Sequence, residues 1–392
     1  MVPDALLVLF RALRAAGGRG VVVGGTVRDT CLGQPSKDVD IEVHGLGIEP
    51  LLALLRRFGR VDEVGRSFGV LKLRMAGFEL DVSLPRRDSR AGTGHKGIHA
   101  EADPELGVVE AARRRDLTIN AIAFDPLTGE WIDPFGGRED LERKVLRAVD
   151  PATFGEDPLR ALRVAQFAAR FGFTVDPALE ALSAQMPLEE LPAERIRGEV
   201  EKLLTKGRPP SSGWDFARRA GLWRKVIPEW DAVPDRLDAA AAAPVDEAPR
   251  RLALLYAAAC GNNDVVEAER VMERLRVHRV AGYPVRVQVL FLVGHRDVPT
   301  RDPADVRLLA ESGEVELLAL LLGDEALRAQ AAALGVSRAP LPPLLLGRDL
   351  SALGMQAGPD MGLLLGEVRR LQIEGRLVTH ENALAYARGR IP

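Results

Sequence analysis

Two aspartates stand two residues apart in the run DVDIEV, at Asp38 and Asp40. Alternate side chains of an extended strand share a face, so the two carboxylates point the same way. Carboxylates that close repel one another unless a cation lies between them, and hard oxygen ligands suit magnesium. Just upstream, VVVGGTVRD sets Val21, Val22 and Val23 before Gly24 and Gly25. The β-branched valines predict a strand, and the glycine pair predicts a turn where backbone can approach a ligand closely. Thr26 is placed to cap the helix that follows, whose free N–H groups suit a phosphate. Arg28, in that first turn, is a bidentate partner for phosphate oxygens. A phosphate cradle beside an acidic metal site is the equipment for transferring a nucleotide's phosphoryl group.

Two later clusters carry further candidates. In Arg114-Arg115-Asp116-Leu-Thr-Ile-Asn120-Ala121 a cationic group opens a predicted helix, with Asp116 near its start and Asn120 one turn on. That arrangement can reach a ribose and a triphosphate, and alone it reads equally as a capped surface helix. In FGEDPLRALRVAQFAARFGF, residues 154–173, Pro158 fits a first helical turn and Asp157 shares a face with Arg160. Taken alone, that pair is an ordinary intrahelical ion pair.

The ordered motifs GGTVRD, DVD, RRDLTINA, EDPLR and ERIRGE together resemble the nucleotidyltransferase superfamily of DNA polymerase β. More narrowly, GGTVRD followed by KDVD resembles the class II CCA-adding enzymes and the related bacterial poly(A) polymerases. The resemblance implies a third metal-site carboxylate in the strand FELDVSLPR, five residues before an arginine; Asp81 stands so before Arg86, with Glu79 on the same face as a rival. It implies that Gly24, Gly25 and Arg28 cradle the triphosphate and that Arg115, Asp116 and Asn120 contact sugar and phosphates. Asp157 and Arg160 would read the base through hydrogen bonds, because arginine supplies donors and a carboxylate accepts from the exocyclic amine of cytosine or adenine. Arg163 would hold phosphates or the Asp157–Arg160 pair, and Glu194, Arg195 and Glu199 would brace that pair.

The implied activity is template-independent addition of CCA to tRNA 3′ ends from CTP and ATP, with Mg2+ held by Asp38, Asp40 and Asp81 and pyrophosphate released. The tRNA acceptor and T arms would be gripped by shape and phosphates. Three alternatives stay open: an A-adding enzyme of a split system, a poly(A) polymerase, and a non-catalytic RNA-binding protein. Poly(A) polymerase relatives carry a more basic GRRF-like stretch where this chain has GRSFGVLKL. Residues 86–113 show no apolar period and predict a long surface loop; the family's flexible loop falls here, and its full length argues against a CC-only enzyme. In RLALLYAAACGNN, Tyr256 and Ala257 stand where many relatives carry the His and Asp of a metal-binding hydrolase motif, and His295 alone makes no metal site.

The elements that position these residues follow from periodicity and composition. Leu6, Leu9, Phe10 and Leu13 predict a core-covering helix over 4–16. A helix over 51–59 and strands over 68–75 and 78–86, parted by Ala76-Gly77, complete a small mixed domain. Beyond it the chain turns helical, through a Pro/Gly/Ser linker at 207–213 and on to GRDL and GPDMG near the end. Asp133 and Gly136-Gly137 read as structural. The expected fold is an α/β nucleotidyltransferase (polymerase β-like) head over 1–145, then an all-α neck (146–206), body (207–325) and tail (326–392). The chain is 392 residues long, with 46% hydrophobic and 28% charged residues, which is ordinary for a globular protein, while aromatics at 5% favour a Leu/Val/Ala core. A net charge of −3 does not advertise a nucleic-acid binder, so local basic patches must do that work. Cys31 and Cys260 exclude a disulfide framework and a zinc ribbon and fit a reducing cytoplasm. The first residues have neither a signal peptide's cationic start nor membrane-spanning length.

Overall fold

In the computed structural model, which describes residues 3–34, 38–63, 69–90, 98–297 and 302–391, the predicted N-terminal stripe lies on one helix. This is α1 (Asp4–Ala15), and Leu6, Leu9, Phe10 and Leu13 are all buried. It packs against β1 (Arg19–Val23), which runs into α2 (Gly24–Cys31) and then β2 (Asp38–His44). α3 (Ile48–Leu55), β3 (Arg60–Asp62), β4 (Val70–Met75) and β5 (Phe78–Ser83) follow. Ala76 and Gly77 join β4 to β5 with φ of 50° and 82°, the left-handed turn that hairpins favour.

After β6 (Arg86–Arg90) and β7 (Ile98–Ala102) come α4 (Val108–Arg113), β8 (Ala123–Asp125) and β9 (Glu130–Ile132). The main sheet has seven strands in the order β3-β4-β5-β2-β1-β8-β9. Within it β2 and β5 run parallel, with Asp40 opposite Asp81 and Asp38 opposite Glu79. That register brings two acidic strands, far apart in sequence, side by side at the centre of the head.

Three expectations are corrected here. Gly24 and Gly25 are not a turn but the first two residues of α2, although Gly24 keeps a φ of 65°. Residues 86–113 are not a structureless loop: β6 and β7 form an antiparallel hairpin and α4 closes the segment, residues 91–97 lying outside the described set. No long helix opens at Arg114; α4 ends there, and only a single 3-10 turn, Thr118–Asn120, follows. Residues 64–68, which include the whole of GRSF, also lie outside the described set.

The chain divides into two compact units, Met1–Pro228 and Glu229–Pro392. The first continues with α5 (Gly137–Arg143), α6 (Pro151–Phe154), α7 (Leu159–Phe171), α8 (Pro177–Ala184), α9 (Ala193–Lys206) and α10 (Pro210–Arg219). Asp133 accepts from the backbone of Gly137 and Arg138 at 2.7 and 2.9 Å, which fixes the start of α5. The expected linker at 207–213 is instead a three-residue connection, after which Pro210 opens α10, packed on α7. A Cβ on Gly213 would sit 2.1 Å from the Ala165 carbonyl oxygen, so only glycine permits this approach of two backbones. The expected boundary at 206/207 therefore falls inside the first unit.

The second unit is helical throughout its described residues. Its helix Ala248–Ala259 is nearly all buried, Tyr256 and Ala257 included, and Arg250 holds Glu314 and Glu316 at 2.7 Å each. Near the end, Leu350, Met361, Leu364, Val368 and Leu371 share a small apolar core. In GRDL, Asp349 accepts from the Leu346 backbone N–H at 2.8 Å, so it caps a helix (Gly347–Ala352). No described helix is long and apolar enough to cross a membrane.

Candidate active site

A cavity of about 680 Å³ opens in the first unit between the sheet, α2, α7 and α9. Gly24, Gly25, Arg28, Asp40 and Asp81 line it on the head side, and Asp157, Arg160, Arg163 and Arg195 on the helical side. Asp116, Asn120 and Arg115 line it too. The structure thus gathers all the proposed site residues whose side chains it describes; that of Asp38 lies outside the described set. Nine lysines and arginines face four aspartates there, a local excess that the net charge of −3 conceals.

On the head side, the backbone of Gly24 comes so close to its neighbours that an added Cβ would lie 3.0 Å from Arg115 Nη1 and 3.5 Å from Asp40 Oδ2. A side chain at this position would fill the gap between a cation and a carboxylate, which is what a phosphate cradle requires to stay empty. Thr26 does not cap α2. Its Oγ1 accepts from the Asp40 backbone N–H at 3.0 Å and so ties the helix to the acidic strand. Asp81 is ion-paired to Lys72 at 3.3 Å. Glu79 pairs with Arg74 at 2.9 Å and, unlike Asp81, does not line this cavity, although both line a smaller one beside it. Among the described residues no group of three or more acidic, His or Cys side chains forms a metal cluster; Asp40 and Asp81 supply two hard carboxylates in register.

Arg28 is corrected from an open phosphate fork to a buried tie. It is 4% exposed, its guanidinium 2.7 Å from Asp29 and 2.6 Å from Asn120 Oδ1, and it lies over the rings of Phe167 and Phe171. Burial lowers its pKa from the usual arginine value, with Asp29 opposing. Asp116 is likewise a hub: its carboxylate accepts from Arg163 Nε (2.7 Å), Asn120 Nδ2 (2.9 Å) and the Leu117 backbone (2.8 Å). Burial alone would raise its pKa, but Arg163 and the hydrogen bonds outweigh burial and hold it below the ordinary aspartate value. Arg163 is raised in turn, first by the charge of Asp116.

On the helical side the Asp157–Arg160 ion pair that spacing alone would suggest does not form. Asp157 accepts from the Leu159 backbone at 3.1 Å and from Arg195 at 2.8 Å. Arg160 donates to the carbonyls of Thr153 (2.9 Å) and Arg114 (2.7 Å), joining the helical segment to the head. Both still line the cavity, and a guanidinium has five N–H donors, so two carbonyls leave Arg160 with spare donors.

Residues 21–147 match the family described as the poly A polymerase head domain, and 172–233 match that described as a probable RNA and SrmB-binding site of polymerase A. The chain is 39% identical over 227 residues to a multifunctional CCA protein of Xanthomonas campestris, a match covering 55% of this chain and 53% of that one. A multifunctional CCA protein of Nitrosospira multiformis is 41% identical over 216 residues, covering 54% of this chain and 50% of the relative. The chain thus spans about half the length of the curated relatives it matches. A crystal structure of the Bacillus stearothermophilus CCA-adding enzyme in complex with CTP aligns over 100% of this chain and 98% of its own, at 26% identity and a TM-score of 0.74. The Thermotoga maritima CCA-adding enzyme complexed with tRNA shares the fold, at 22% identity and a TM-score of 0.71, over 100% of this chain and 97% of its own.

Within the head, Glu42 went unnoticed in the sequence. It is 9% exposed, lies 3.5 Å from Arg115 Nη2 and 3.2 Å from His44 Nε2, and thereby holds Arg115 beside Gly24. The alternation in DVDIEVH places Glu42 and His44 on the face of Asp40, which is the signal that could have found them. Arg170, Lys202 and Lys206 also line the cavity. Their helical spacing from Arg163 and Arg195 was the available clue.

Proposed function

We propose that this chain is a tRNA nucleotidyltransferase that adds CCA to tRNA 3′ ends from CTP and ATP. The observation that carries the reading is one cavity that joins the Asp40/Asp81 register pair, the Gly24 backbone between Arg115 and Asp40, and the Asp157–Arg160–Arg195 wall. The similarity to CCA proteins and to CCA-adding enzymes bound to CTP or tRNA supports it.

Asp40, Asp81 and, from its place in β2, Asp38 would hold Mg2+, which when bound lowers the pKa of the tRNA 3′ hydroxyl and steadies the leaving pyrophosphate. Arg115, held by Glu42, faces the cradle where the triphosphate lies. Asp116, Asn120 and Arg163 form a rigid floor beneath the sugar, while Arg28 braces that floor from behind. The tRNA 3′ oxygen bonds to the α-phosphorus as the bond to the β-phosphate oxygen breaks. Asp157, oriented by Arg195, and Arg160 present an acceptor and donors to the base edge, the pattern that suits the exocyclic amines of cytosine and adenine. Magnesium and the roles of these side chains are part of the proposal. The free thiols of Cys31 and Cys260 accord with a cytoplasmic setting.

Arg160→Ala is expected to relax base choice, raising UTP and GTP incorporation relative to CTP and ATP by about tenfold, the scale of one charge-assisted hydrogen bond. Steady-state kcat/KM for the four nucleotides on a tRNA lacking its CCA end measures this. Unchanged ratios would remove Arg160 from base reading.

A further inference from the structure

Two stripes of polar side chains run along the cavity. On α7, Arg160, Arg163, Gln166 and Arg170 recur at three- and four-residue spacing, and on α9 so do Arg195, Glu199, Lys202 and Lys206. Each stripe therefore occupies one helix face, and the two helices pack side by side. The stripes begin at the base-reading end, where Arg195 holds Asp157. They end at Arg170 and Lys206, which with Lys72 face Asp29, Asp40, Glu79 and Asp81 around an adjoining cavity of about 460 Å³.

From Arg160 to Arg170 the rise of α7 is about 15 Å, at 1.5 Å per residue, comparable with an extended nucleoside triphosphate. Resting on the transferase reading above, we propose that Arg170, Lys202 and Lys206 bind the β- and γ-phosphates of the incoming nucleotide, and then the pyrophosphate that leaves. The charges are arranged for it. Arg170 is oriented by Asp29 at 3.1 Å and lies over Phe171, and Lys202 is held by Glu199 at 2.8 Å. Lys206, on the last turn of α9, has no ion pair among the described residues, so its ammonium is available to a ligand. Midway along, Gln166 is 3% exposed and its Nε2 has no hydrogen-bond partner among the described residues, although its side chain lines the cavity. A donor left unmet at that point fits a phosphate or sugar oxygen lying between the two ends. The carboxylates of this adjoining cavity would repel a polyphosphate unless the helix cations, together with magnesium on Asp40 and Asp81, offset them.

The test compares the intact chain with Lys206→Ala and Lys206→Arg by calorimetric binding of inorganic pyrophosphate with magnesium and by KM for CTP and ATP. Lys206→Ala should weaken pyrophosphate binding and raise both KM values by about five- to tenfold, with the CTP:ATP ratio unchanged and Lys206→Arg restoring most of the loss. If Lys206→Ala binds pyrophosphate as tightly as the parent chain, the site is refuted. If tRNA affinity falls instead while pyrophosphate affinity and both KM values hold, these cations grip the RNA backbone and the proposal is equally overturned. A parent chain that binds pyrophosphate at this site but extends no tRNA would refute the transferase reading and leave the site standing.

Discussion

Asp40→Ala is expected to reduce nucleotide addition by on the order of a thousandfold or more, while tRNA binding stays within a few-fold of the parent chain. The magnitude follows from losing a carboxylate that would hold magnesium at the reacting phosphate, a contribution of several kcal/mol at roughly 1.4 kcal/mol per tenfold in rate. The tie between Asp40 and α2 through its backbone N–H and Thr26 Oγ1 does not involve the deleted carboxylate, so the substitution leaves it in place. Single-turnover extension with CTP and filter binding of tRNA separate the two effects. Turnover retained in this variant would remove the two-carboxylate account of the site.

Asp116→Ala is expected to cost on the order of 3–5 kcal/mol of stability, the scale for removing one partner of a buried ion pair. Three donors, from Arg163, Asn120 and Leu117, would lose their shared acceptor. Asn120 also accepts from Arg28, so the disturbance reaches α2 and the Phe167–Phe171 pair. The pH dependence has a definite sign. With a folded pKa held below the unfolded value of about 3.9, Asp116 contributes fully above that pH, and its contribution is lost as pH falls through the folded value. Urea unfolding of the parent chain should show that acid-side loss, and the variant should show it flattened. A variant as stable as the parent at neutral pH would contradict the hub assignment.

These two residues illustrate what was legible beforehand. The alternation of DVDIEV placed Asp40 on its strand and face without any structure, because a period of two leaves few choices. The helical stripe of α1 and the β4–β5 turn were readable for similar local reasons. Asp116 was found as a residue but was placed at the start of a long helix that does not form, and its buried partners were not foreseen. Its burial depends on Arg163, which is 47 residues away, and no local pattern reports such a partner. The same limit explains Asp157 and Arg160: spacing suggested that they pair with each other, while the fold supplies Arg195 and two carbonyls instead. It also explains the linker at 207–213, whose Pro/Gly/Ser composition suggested a flexible connection. Gly213 is there because α10 lies directly on the backbone of α7, a contact set by tertiary packing.

The most direct measurement is extension, with magnesium, of three tRNA transcripts that end before CCA, after C and after CC, offered CTP, ATP or both. The account predicts that all three are completed to CCA and that synthesis then stops. Addition of a single A to the CC-ended transcript alone would contradict it in favour of the A-adding partner of a split system. Continued addition of A residues would point to a poly(A) polymerase, and no addition to any transcript would leave only an RNA-binding protein.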